Sequence, residues 1–173
     1  MSIFKSKNKP ENITLDQIVD TYYEPVYWHV RRLVVCHDDA CDVCQETFLR
    51  AVQAFDSLRD MAAARSWLYR IATNEAMRHL SKRRLSDEEI SQTLADRLAE
   101  EPDPPDPDPR LRRFNQALAS LTHAQRSVFN LRHYDEMSYR EIADIVGGSP
   151  DTIRVVYHHA KEKIKNFLLC DTK

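Results

Sequence analysis

Apolar residues recur at helical spacing through most of this chain, and start signals divide them into successive helices. Thr14 and Gln17 have the spacing of a capping box, in which two side chains satisfy the orphan amides of a helix N-terminus. They open a helix through Ile18, Val19 and Tyr22. Pro25 predicts a break at Glu24 and a restart, after which Val26, Tyr27, Val30, Leu33 and Val34 return at helical spacing. Asp38 or Asp39 is placed to cap the next helix, with an apolar stripe of Val43, Cys44, Thr47, Phe48, Ala51 and Phe55. Its other face carries Asp42, Gln45, Glu46, Leu49, Arg50 and Gln53: a solvated face, or a protein interface that mixes charge with Leu49. Phe55 to Ala62 reads as a loop. A long helix then runs from Ala63 to about Leu85 on Trp67, Leu68, Ile71, Ala72, Ala76 and Leu80.

The second half is punctuated more densely. Leu111, Phe114, Ala117, Leu118 and Leu121 predict one helix, and Val128, Phe129 and Leu131 continue the core. Thr122 with Gln125 and Ser138 with Glu141 are two further capping boxes. Gly147 follows the last apolar residue of the second unit, where a left-handed residue ends helices. Ser149 before Pro150 is an N-cap followed by proline at the first helical position. In the last helix Ile153, Val156, Tyr157, Ala160, Ile164, Phe167 and Leu168 face inward, leaving Asp151, Arg154, Val155, His158, His159, Lys161 and Glu162 outside. Helix, tight turn at Gly147-Gly148, helix is the helix-turn-helix pattern, whose second helix enters the DNA major groove.

Composition turns this pattern into an all-α chain of two small domains. Two glycines in 173 residues disfavour a turn-rich β fold. Five of the eight prolines lie within eight residues from Pro102, interleaved with acids, which makes a stiff extended linker and not a core. The chain then divides into a leader over 1–13, a domain over 14–85, a linker over 86–109 and a domain over 110–170. The net charge of −2 conceals segments of +2 (residues 1–85), −8 (86–109) and +4 (110–173) by the same counts. Two mildly basic modules around an acidic segment suit a nucleic-acid binder. No apolar run of about 18 residues predicts a membrane span, and Met1 to Pro10 lacks the apolar stretch of a signal peptide. The expected place is the cytosol, with four reduced cysteines.

Candidate chemistry changes little. No Gly-rich phosphate loop or nucleophile–base arrangement is visible, so no catalytic residue and no cofactor is expected. Arg65, Trp67, Tyr69 and Arg70 interleave aromatic and basic side chains, as single-strand binders do, although Trp67 also fits the core. Arg78, Lys82, Arg83 and Arg84 either offset a helix dipole or contact phosphates. His37, Cys41 and Cys44 follow an H-x3-C-x2-C spacing that could hold zinc. The plainer reading buries Cys44 as a small apolar residue, and no metal is expected.

Three stretches resemble one family in the order in which that family carries them. Asp42-Val43-Cys44-Gln45-Glu46-Thr47-Phe48-Leu49-Arg50-Ala51 looks like the core-polymerase-binding segment of bacterial sigma factors. Ser66-Trp67-Leu68-Tyr69-Arg70-Ile71-Ala72-Thr73-Asn74-Glu75 looks like their promoter-melting segment, and Ser138-Tyr139-Arg140-Glu141-Ile142-Ala143 with the final helix resembles their upstream-element reader. Two domains with only a linker between them point to the extracytoplasmic-function (ECF) group. The resemblance implies a bacterial cytoplasmic protein that binds core RNA polymerase, through the largest subunit's clamp helices and the flap, and directs promoter-specific transcription initiation. It implies that Asp42, Gln45, Glu46, Leu49 and Arg50 meet the clamp helices. Arg65, Arg70, Asn74, Arg78, Lys82, Arg83 and Arg84 would handle the −10 element and its phosphates. Asp151, Thr152, Arg154, Val155, His158, His159 and Lys161 would read the −35 element. An anti-sigma factor is an expected partner, and the linker is expected to pass through the polymerase cleft. The rival reading is a metal- or redox-responsive helix-turn-helix regulator.

Val156 and His159 stand where family members often carry basic residues. Their loss weakens phosphate anchoring. Val155 is suited to a thymine methyl group.

Overall fold

The computed structural model describes residues 14–58, 60–86 and 108–170, without the side chains of residues 61 and 83–86. The expected leader and nearly all of the acidic linker lie outside the described residues. Among the described residues there are seven α-helices and no strand. They are α1 (Leu15–Val34), α2 (His37–Ala54), α3 (Ala64–Ser86), α4 (Pro109–Ala119), α5 (His123–His133), α6 (Tyr139–Val146) and α7 (Pro150–Leu169).

All three capping boxes form, at Thr14/Gln17, Thr122/Gln125 and Ser138/Glu141. Each satisfies two amides that the first turn would otherwise leave unpaired. Ser149 caps α7 by accepting the Thr152 amide, with Pro150 in the first turn. Gly147 and Gly148 have φ of 86° and 108°. Both values are costly for a residue with a Cβ, so the paired glycines set the angle between α6 and α7.

Three expectations need correcting. Pro25 does not break α1, which is one helix of 20 residues. Proline removes one hydrogen bond and costs about 3 kcal/mol. Here Thr21 and Pro25 both lie on the exposed side of the helix, while Ile18, Val26, Val30, Leu33 and Val34 bury one continuous stripe across the site. Neither Asp38 nor Asp39 caps α2; Cys36 holds the cap position without a side-chain bond, and the two aspartates sit in the first turn. A very tight connection causes this shift. Val35 has φ 71° and ψ −44°, and the Cys36 amide reaches the Val34 carbonyl at 2.9 Å. This three-residue γ-turn leaves no room for an aspartate cap. Finally, the stretch after Phe55 is not all loop, since Phe55–Ser57 and Met61–Ala63 are short 3-10 turns.

Helices α1, α2 and α3 pack around Val30, Leu33, Val43, Ala51, Leu68, Ala72 and Ala76, all buried. A separate cluster of Ala117, Leu121, Phe129, Ala160 and Ile164 joins α4, α5 and α7. The first core continues without interruption into Val128, Leu131, Met137, Ile142 and Ile153 of the C-terminal half. The two halves therefore share buried surface, with α6 against α3 and α5 against α1.

Candidate functional site

The outer face of α2 is built by helical period alone. Val43, Cys44, Thr47 and Ala51 are buried, and the Thr47 hydroxyl donates back to the Val43 carbonyl at 2.7 Å. That leaves Asp42, Gln45, Leu49, Val52 and Gln53 exposed on the opposite side. Leu49 is 58% exposed and Val52 51% exposed. The two form an apolar pair in a polar frame, on a helix whose other face is already core. Arg50 is less free than its neighbours, because it pairs with Glu46 at 2.9 Å and with the buried Glu75 of α3 at 2.8 Å.

On α3 the expected −10 residues divide into two sets. Arg70, Asn74, Arg78 and Lys82 are exposed along one side. Arg78 is held by both carboxylate oxygens of Glu75, at 2.8 and 2.9 Å. Arg65 is partly buried, donates to the Asp135 carbonyl and lies 5.8 Å from the Tyr69 ring centre. Tyr69 is 1% exposed, so the expected aromatic–basic interleaving does not present it to a nucleic acid. Trp67 is packed against the core, as its alternative reading has it. The side chains of Arg83 and Arg84 lie outside the described residues.

On α7, Ile153, Ala160 and Ile164 are buried, while Asp151, Thr152, Arg154, Val155, His158, His159 and Lys161 are all exposed. Val155 is 53% exposed. Arg154 is steered by Asp151 at 3.4 Å and lies 5.5 Å from the Tyr139 ring centre. The helix thus offers solvent a guanidinium, two imidazoles and an apolar side chain, that is, hydrogen-bond donors beside an apolar contact. Between α4, α5 and α7 runs an open apolar groove of about 440 Å³, lined by Phe114, Phe129, Tyr157, Ile164 and Leu168 and rimmed by His133, Lys161 and Lys165.

Among the described residues no group of three metal-ligating side chains comes together. His37 Nε2 lies 3.7 Å from Cys41 Sγ, but its Nδ1 is taken by the Tyr27 hydroxyl at 2.8 Å. Cys44 points into the core, and burial, with Cys41 adding, pushes its thiol up to about 11. A thiol so raised resists becoming the thiolate that a metal needs.

Sequence reasoning missed one cluster altogether. Asp135, in the turn after α5, has a side chain only 6% exposed, and its carboxylate meets three residues of the N-terminal half. Oδ2 lies 3.1 Å from His29 Nδ1, while Oδ1 accepts from Arg32 at 3.1 Å and from the Tyr69 hydroxyl at 3.2 Å. The other His29 nitrogen lies 2.9 Å from the Thr73 hydroxyl. Burial and the Asp135 charge both drive the Tyr69 phenol above its ordinary value. Arg32 also lies over the Tyr134 ring at 4.5 Å. The only hint in the sequence is a histidine inside the apolar stripe of α1.

Comparison with known proteins identifies the family of the chain. Residues 18–85 match the family described as Sigma-70 region 2, and residues 111–164 match Sigma-70, region 4. An ECF RNA polymerase sigma-E factor of Salmonella typhimurium is 34% identical over 139 residues, spanning 74% of this chain and 73% of that protein. The chain belongs to the ECF sigma factors of the sigma-70 family. The ECF RNA polymerase sigma factor SigW of Bacillus subtilis is 28% identical over 179 residues, covering 95% of this chain and 94% of its own. Among solved structures, the sigma factor RpoE in complex with the anti-sigma factor NepR from Bartonella quintana overlays with a TM-score of 0.73 at 25% identity. That overlay covers 90% of this chain and 97% of RpoE. As a member of this family the chain binds core RNA polymerase and directs it to promoters. Among the described residues no helix is long and apolar enough to cross a membrane.

Proposed function

We propose that residues 14–85 grip core polymerase and the −10 element, that residues 110–170 read the −35 element, and that residues 86–109 link the two. The observation that carries this is a pair of outward helix faces, each backed by core. The α2 face of Asp42, Gln45, Glu46, Leu49 and Arg50 meets the clamp helices of the largest subunit. The α7 face of Asp151, Thr152, Arg154, Val155, His158, His159 and Lys161 enters the major groove. Arg65, Arg70, Asn74, Arg78, Lys82, Arg83 and Arg84 serve the −10 element and its phosphates. The apolar groove between α4, α5 and α7 takes the polymerase flap, its basic rim favouring an acidic partner segment. Polymerase tethers both reading surfaces, which raises the effective concentration of each at the promoter and tolerates a weakly basic α7.

The protein works in the bacterial cytoplasm and catalyses nothing itself, since polymerase supplies the chemistry. It is held inactive by an anti-sigma factor, a reading supported by its likeness to RpoE from the complex with NepR. The test is reconstitution with core polymerase and α7 variants. Replacing Arg154, His158 and His159 by alanine should leave core binding intact and abolish promoter choice. Unchanged promoter choice by that triple variant would rule out α7 as the reader of the −35 element.

A further inference from the structure

Arg154 and Lys161 are the only arginine and lysine among the residues assigned to the −35 element. Each lies against a tyrosine ring. The Arg154 guanidinium is 5.5 Å from the ring centre of Tyr139 on α6, and the Lys161 ammonium is 5.6 Å from that of Tyr157 on α7. The ring quadrupole attracts a cation placed over its face.

The rings are themselves fixed. Tyr139 opens α6 directly after Ser138, the N-cap of its capping box, and is half-buried against the main core. Its ring centre lies 6.1 Å from that of Tyr157, which in turn lies 6.0 Å from that of Phe129 on α5. Arg132 of α5 also lies 5.0 Å from the Tyr139 ring centre and is tied to the Met137 carbonyl at 2.8 Å. A row of rings from three helices therefore stands behind the cations of α7.

Placement matters most for Arg154. A guanidinium reads a base edge through two N–H groups in a fixed fork, whereas an ammonium acts as a point charge. A long side chain ordered only on docking loses rotamer entropy at that moment. The ion pair with Asp151 restrains Arg154 weakly, because it spans 3.4 Å between side chains 64% and 88% exposed. Asp151 is itself almost fully solvated, whereas the Tyr139 ring is anchored by the core.

We propose that Tyr139 is a positioning residue for promoter recognition: its ring holds the Arg154 guanidinium in place and so sharpens the choice of base at the position that Arg154 reads. This rests on the assignment of α7 to the −35 element. Tyr139 lies outside the reading helix and acts through Arg154.

The test uses the full chain with core polymerase and one promoter found by start-site mapping, its upstream element randomised. Templates bound by the holoenzyme are recovered and sequenced, which scores the preference at each position. The variants are Arg154→Ala, Tyr139→Leu and Tyr139→Phe, with melting curves to verify folding; Tyr139→Met replaces Tyr139→Leu if the latter does not fold. Arg154→Ala should lower the preference at the base pair it reads by at least about fivefold. Tyr139→Leu should lower it at the same base pair by about two- to fivefold and leave the other positions unchanged. Tyr139→Phe keeps the ring and should keep the preference. The double variant with Leu at 139 and Ala at 154 should match Arg154→Ala alone, because one residue acts through the other. Wild-type preference in folded Tyr139→Leu would overturn the proposal. So would an equal loss in Tyr139→Phe, which assigns the effect to the hydroxyl, or a uniform loss at every position, which is the mark of a displaced helix. If Arg154→Ala itself changes no preference, the assignment of Arg154 to the −35 element falls and the proposal with it, so the two failures are separable.

Discussion

Leu49 offers a sharp test of the proposed polymerase-binding face, because its contribution to folding and its contribution to docking are separable. The side chain is 58% exposed on the side of α2 opposite Val43, Cys44, Thr47 and Ala51. Full burial of a leucine is worth about 1.5–3 kcal/mol. The exposed share that docking could cover is therefore roughly 1–2 kcal/mol, which corresponds to about a 5- to 30-fold change in affinity. Leu49→Ala should weaken core polymerase binding by that factor, measured by titrating labelled protein with core enzyme. Leucine and alanine are both strong helix formers, and the buried two-fifths of Leu49 is worth about 1 kcal/mol on the same scale, so stability should fall by no more than about 1 kcal/mol. Val155→Ala has a comparable exposure of 53% on α7 and serves as the control that leaves binding to core enzyme unchanged. If Leu49→Ala binds core enzyme within about twofold of wild type, the α2 face is not the docking surface. A loss matched by equal destabilisation would refute the separation of faces.

Other outcomes follow from the same geometry. Arg126 is 3% exposed and donates to the carbonyls of Leu118, Ala119 and Leu121 at 3.2, 2.9 and 3.3 Å; burial draws its pKa down to about 10. Arg126→Ala should cost about 3 kcal/mol in urea unfolding, and Arg126→Lys should rescue little because one ammonium cannot span three carbonyls. The Glu141 carboxyl is held below its ordinary value by hydrogen bonds from the Ser138 hydroxyl and amide. Its contribution to stability is complete above about 4.5 and is lost as pH falls through the lower folded value. Glu141→Gln should remove that part of the acid sensitivity in a pH series of melting curves. Glu136 is exposed with φ 54°, so Glu136→Gly should stabilise by up to about 1 kcal/mol in the same unfolding assay.

Much of the local architecture was legible because it is written in short spacings. Thr14/Gln17, Thr122/Gln125 and Ser138/Glu141 each require a separation of three, and all three boxes form. The faces of α2 and α7 follow from the 3.6-residue period, so Leu49 and Val155 could be placed outside without coordinates. Pro25 misled because propensity is local while the stripe from Ile18 to Val34 is buried by tertiary packing. The turn at Val35 was illegible, since a β-branched residue with φ 71° is held by its surroundings and not by its own preference. Asp135 was beyond reach for another reason. Its partners lie 66 to 106 positions away, and no periodicity links residues across such a gap.

The central claim, that this chain directs core polymerase to promoters through α2 and α7, is met most directly by in vitro transcription of genomic DNA with 5′-end mapping. The reaction combines the source organism's core polymerase with the purified chain, and core polymerase alone is the control. The account predicts a set of start sites absent from the control, sharing two upstream sequence elements at fixed spacing. It also predicts that alanine at Arg154, His158 and His159 disperses the upstream element and leaves core binding unchanged. Start sites identical to those of core enzyme alone would contradict it.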